Sequence, residues 1–202
     1  MNLLRTALIL VLILAPAAAW SQQIQGDGEN APELITRPYD YVSDQGNFKV
    51  TWPSGCGELV RRDMIENPDA EPFDQVQVFN VYCDQNKQHG VGSAVIVLFN
   101  LRDGEGRLPG PAQVVPRMEN HLQTLGVAIV EQRPIRRDMP GGTCIEGLEI
   151  LAQEPAGAGQ AWLRGLIHED VVYLLSAWKI EGGLFDDPEY EAFFNSFEPV
   201  VE

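Results

Sequence analysis

The chain has 202 residues, with 14 Lys plus Arg against 29 Asp plus Glu and a formal net charge of −15. That balance repels nucleic acid and anionic headgroups while favouring solubility and cationic or basic partners, so nucleic-acid binding is set aside. The length suits one domain able to bury its own core.

The first residues, MNLLRTALILVLILAPAAAW, place Arg5 ahead of a nine-residue apolar run, Ala7 to Ala15, followed by proline and small residues. This is the anatomy of a cleaved secretory signal peptide, residues 1–21, with cleavage after Ala19 or Ser21. Nine apolar residues fall short of the ~20 that span hydrocarbon. No cysteine precedes Cys56, which rules out a lipid-modified residue at the cleavage point. The expected location is periplasmic or extracellular, with no stable membrane insertion after cleavage.

Residues 22–36 are polar, hold Gly and Pro, and lack periodicity, which reads as a disordered lead-in to a single domain over 37–202. Phe48, Val50 and Trp52 alternate with Lys49 and Thr51, a half-buried strand entered through a hairpin turn near 44–47. Two further strand-like runs, ELVRRD and DQVQVFNVYCD, flank a loop with two prolines. VGSAVIVLFNL is the most apolar run and is expected in the middle of a sheet.

PAQVVPRMENHLQTLG changes period: Met118, Leu122 and Leu125 recur at helical spacing, with Gly126 as C-terminal cap. A helix is expected from Pro116, or irregularly from Pro111, to Leu125. Four strand-like runs follow, VAIVEQRPI, GTCIEGLEILAQE, QAWLRGLIHE and DVVYLLSAWKI, the last two abutting at Glu169 and Asp170 as a tight hairpin. Asp187 as N-cap and Pro188 at the first helical position start a final helix carrying Tyr190, Phe193, Phe194 and Phe197. Short hairpin connections imply antiparallel pairing with helices laid on the sheet.

Cys56, Cys83 and Cys144 make one pair and one leftover in an exported chain. If the two flanking strands pair so that Asp63 faces Val76, Cys56 comes opposite Cys83, and a Cys56–Cys83 disulfide is expected; pairings with Cys144 remain open. No two cysteines lie within four residues of each other, so no zinc or other metal site is expected, and no cofactor.

No catalytic signature is present. IHED, residues 167–170, reads as a polar hairpin tip, RDGEG as a turn, and His89 and His121 are isolated. Arg133, Arg136 and Arg137 interrupt the acidic field, to receive an acidic ligand or to pair with nearby carboxylates. An enzyme would need His168, Glu146 and Asp170 to converge. Trp178, Leu184 and Phe185 surround two glycines between the last strand and the last helix, and are the candidate partner contacts.

Phe48, Val50 and Pro53, then Trp162, Arg164 and Gly165, Val171 and Tyr173, and finally Phe194, Ser196 and Phe197 are spaced as in the PsbP/DcrB-like family. Across roughly residues 40–198 the chain resembles that group. The resemblance implies an α+β fold, a twisted, mainly antiparallel sheet flanked by two main helices in an α/β/α sandwich. Members are extrinsic photosystem subunits, exported envelope proteins and, in a distant branch, a binder of a nuclear transport GTPase. The shared markers are core positions, so no functional residue carries over. The expectation is an exported, non-enzymatic binding or assembly module that engages another envelope protein. The alternative is a small hydrolase-type or cation-binding periplasmic protein.

Overall fold

Phe48, Val50 and Trp52 point inward from one short strand while Lys49 is exposed, the period-two pattern read from the sequence. The structure, a computed structural model, describes residues 37–55, 59–66, 69, 75–86, 91–101, 106–107, 118–119, 122, 127–139 and 144–200. The strands are β1 (Tyr39–Ser43), β2 (Phe48–Trp52), β3 (Leu59–Glu66), β4 (Val76–Asn86), β5 (Val91–Phe99), β6 (Ala128–Asp138), β7 (Cys144–Gln153), β8 (Gln160–His168), β9 (Val171–Lys179) and β10 (Glu198–Pro199). One helix, α1 (Pro188–Ser196), precedes β10.

Seven strands form a wholly antiparallel sheet in the order β3-β4-β5-β9-β8-β7-β6. β1, β2 and β10 form a second sheet with β2 in its middle. This corrects the expected α+β sandwich with two main helices: the described chain is mostly strand, in two sheets, with one short bounded helix. Alternation specifies which face of a strand is buried but not which sheet the strand joins. Here the apolar row of β2 faces the large sheet from a separate layer and occupies space assigned to a helix. The helix expected to end at Leu125 lies mostly outside the described residues. Its Met118, Glu119 and Leu122 are helical, with Met118 and Leu122 buried.

The large sheet has two apolar faces. On one, Val81, Val95, Trp162, Leu166 and Leu175 meet the small sheet and α1. On the other, Ile96, Leu98, Ile150, Leu163 and Leu174 meet Met118 and Leu122. β5, expected in the middle, is interior, and β9 holds the centre.

α1 starts as its sequence predicts. The Asp187 carboxylate accepts from the Glu189 N–H at 3.1 Å and Pro188 occupies the first turn. Glu189 in turn accepts from the Ser54 N–H at 2.7 Å and the Ser54 hydroxyl at 2.6 Å, tying the helix to the end of β2. Aromatic rings hold the layers together: Trp162 stacks on Phe194 at 4.5 Å, Trp52 meets Phe193 at 5.1 Å and Phe48 lies against Phe197 at 5.7 Å. Each such pair adds about 0.5–1.5 kcal/mol beyond the area it buries.

Candidate functional site

The basic set on β6 is engaged in pairing. Across the β6–β7 ladder Arg133 faces Glu149 and Arg136 faces Glu146, and the ions meet at 2.7 and 3.1 Å. Arg137 donates to the Phe197 carbonyl at 2.6 Å. Glu149 is buried and also accepts from Arg164 of β8, its cross-strand neighbour, through Nε at 2.9 Å and through Nη2. The same guanidinium reaches the Phe194 carbonyl and lies 5.3 Å over the Phe194 ring. A cation at the C-terminal end of a helix completes its open carbonyls and suits its dipole. This cluster therefore locks α1 and the β6 edge to the sheet. The buried Arg164–Glu149 pair went unread in the sequence because the two are 15 residues apart and only the register joins them.

The candidate contact residues are packed inward to different degrees. Leu184 is fully buried and its N–H donates to Gln160 Oε1 at 2.7 Å. Phe185 is half-buried against the aromatic core. Trp178 is half-buried over β5, where a side chain at Gly92 would meet its ring at 2.2 Å. The loop bends at Gly182 and Gly183, whose φ of 78° and 74° lie in the left-handed region. Ile180 is its exposed apolar side chain, at 57%.

His168, Glu146 and Asp170 do not converge. Glu146 faces Ile167 across the ladder, so His168 sits on the opposite face, buried on the side of Ile145. His168 Nδ1 lies 3.5 Å from the Cys144 carbonyl. Asp170 is exposed in the two-residue turn between β8 and β9, where Glu169 takes φ 53°. Among the described residues no group of three His, Cys, Asp or Glu could hold a metal ion, and no helix is long and apolar enough to cross a membrane. His89, His121, Cys56 and most of RDGEG lie outside the described residues.

The register proposed for the cysteine pair is corrected. β3 pairs with β4 as expected, but Asp63 faces Phe79 rather than Val76, and Cys83 faces Leu59. The hydrophobic row Phe79, Val81, Cys83, buried on the core face, sets this alignment. Cys144 is a free thiol. Successive pairings carry the row of Cys83 through Ser93, Ala177 and Trp162 to Leu151 on β7. At ~4.8 Å per strand and ~3.3 Å per residue, Cys144 is roughly 30 Å from Cys83.

A different surface holds open apolar side chains. At the hairpin end of β3 and β4, Met64 is 40% and Ile65 54% exposed. They line an open groove of about 420 Å³ with Gln45, Asp63, Gln77, Val78, Phe79 and Phe99. Among the described residues no strand pairs with the outer side of β3. The run RRDMIE carries this signal weakly, since alternation alone does not tell an edge strand from an interior one.

No family profile and no curated protein matches the chain. Among solved structures it is similar to the solution structure of cyanobacterial PsbP (CyanoP) from Synechocystis sp. PCC 6803. The TM-score is 0.48 at 14% identity, covering 85% of this chain and 98% of that one. That likeness assigns no role to any residue.

Proposed function

We propose that the protein is an exported, non-enzymatic binding or assembly module of the cell envelope. The observation that carries this reading is the groove beside β3, where Met64 and Ile65 stand exposed. Large apolar side chains gathered at a concave site mark protein contact surfaces. The strongest charge constellation, by contrast, is committed to the scaffold through Glu149, Arg164 and Arg133. The partner is another envelope protein that inserts an apolar segment into the groove. Export after removal of residues 1–21 delivers the mature chain to an oxidising space, where Cys56 and Cys83 pair as a structural disulfide.

A photoreactive residue at Gln45, on the groove wall, tests the docking reading, with the same residue at Val130 on the far edge of the sheet as control. The expected result is a discrete adduct from position 45 in intact cells. It should be absent from position 130 and lost when Met64→Glu is added. Equal adducts from both positions, or none from 45, overturn the reading.

A further inference from the structure

The outer side of β3 carries a second signal, which goes beyond the groove reading and stands or falls separately from it. Its eight residues pair with β4 in unbroken register, so the strand is regular enough to template another. Residues directly opposite in an antiparallel pair share a face, so two copies continue one sheet only if odd positions meet odd and even meet even. Three such registers centre on Arg61, Arg62 or Asp63. All three set two like charges at the axis, and centring on Arg61 or Asp63 also places Leu59 opposite Asp63, or Arg61 opposite Ile65.

Centring on Arg62 gives a different set. Arg61 faces Asp63 of the other copy, twice by symmetry, and the apolar positions 59 and 60 fall opposite Ile65 and Met64. Arg61 and Asp63 already meet at 3.0 Å within one chain, so the same charges exchange partners across the axis. Arg62 meets its own copy with its guanidinium 5.9 Å from the Tyr82 ring centroid, and the Arg61 guanidinium likewise lies 4.9 Å from that of Phe79, so both lean over β4 and the two Arg61–Asp63 pairs are what distinguish this register. The acidic bodies repel one another, yet at physiological ionic strength charges beyond ~8 Å are screened. Contact pairs at the edge are screened far less.

From this complementarity we infer that β3 pairs with β3 of a second copy, antiparallel about Arg62, to form one continuous sheet across a twofold dimer. The interface is isologous, the commonest arrangement of soluble homo-oligomers. The groove then gains a wall from the second copy, whose position 59 abuts Ile65.

Sedimentation equilibrium of the purified mature protein tests the pairing directly. The expected result is a monomer–dimer equilibrium. Arg61→Asp should weaken it about tenfold or more, because the substitution acts twice. Arg61→Asp with Asp63→Arg should restore it. Independently, in a Cys144→Ser background, Arg62→Cys should form a covalent dimer on mild oxidation and Ile65→Cys should not. A monomer at every concentration, failure of the double exchange to restore pairing, or equal cross-linking from positions 62 and 65 overturns the inference. A monomer that still gives the Gln45 adduct leaves the groove reading standing. A dimer without that adduct supports the pairing and removes the groove reading.

Discussion

The two edges of the seven-stranded sheet are built on opposite principles. β6 carries Pro134, which has no N–H to offer, a bulge between Ile129 and Glu131, and a run of charges tied to β7. Each of these devices discourages another strand from adding. β3 has an unbroken register, no proline, and two exposed apolar side chains at its hairpin end. Val130 is just as exposed, at 60%, but it sits in the bulge, where no regular ladder can form around it. Exposure of apolar surface alone does not make a docking edge. A regular backbone beside it is what another strand would need in order to pair.

Three measurements break or sharpen that contrast. The largest effect is expected from Glu149→Gln, which leaves Arg164 largely buried without its anion. Such a change costs about 3–5 kcal/mol, read from urea unfolding. A loss below about 1 kcal/mol would mean that the β6 charges are ordinary surface ions and that the edges differ less than their geometry says.

An intermediate effect is expected at Tyr173, on the central strand and three strands from either edge. Burial, then Asp170 and Glu169, hold its hydroxyl well above the ordinary tyrosine range. Burial, then Tyr41, pushes Tyr39 up to about 12. Tyrosine in the unfolded chain ionises near pH ~10, so the stability these groups contribute is whole below that pH and is lost as pH rises toward 12. Tyr173→Phe should flatten that alkaline fall. Near neutrality it should cost about 1 kcal/mol through the bond its hydroxyl donates to the Asn47 carbonyl. Unfolding curves at pH 8 to 12 check both, and an unchanged alkaline limb would place its origin elsewhere.

The smallest change in stability, within about 1 kcal/mol, is expected from Pro134→Thr. Its readout is association. With β6 opened as well as β3, sedimentation velocity should show species larger than a dimer, since two pairing edges on one subunit permit open-ended growth. If nothing larger forms, the bulge and the charges protect β6 without the proline.

Local chemistry made much of the scaffold legible. Asp187 and Pro188 announced α1, the alternation at Phe48, Val50 and Trp52 announced β2, and the abutting runs at Glu169 and Asp170 announced the hairpin. Features set by register were not legible. Asp63 faces Phe79 rather than Val76 because burial of the row Phe79, Val81 and Cys83 of β4 sets the alignment. The second sheet went unread because β10 is two residues long and too short to show a period. Of the candidate contacts, Leu184 reads as exposed only if its loop is taken as solvated, whereas Gln160 and the aromatic core draw it inward. The groove draws on β3, β4, β5 and the turn after β1, and no single stretch of sequence contains it.

The carbonyl of Asn47 accepts from the Val200 N–H at 2.8 Å, and β2 is flanked on one side by β10. The second layer therefore cannot close until about 150 residues have been made after the first strand that belongs to it. A nascent chain therefore leaves this small layer unfinished until its last few residues are available to pair. Its closure arrives late, when the tail comes back to meet the head.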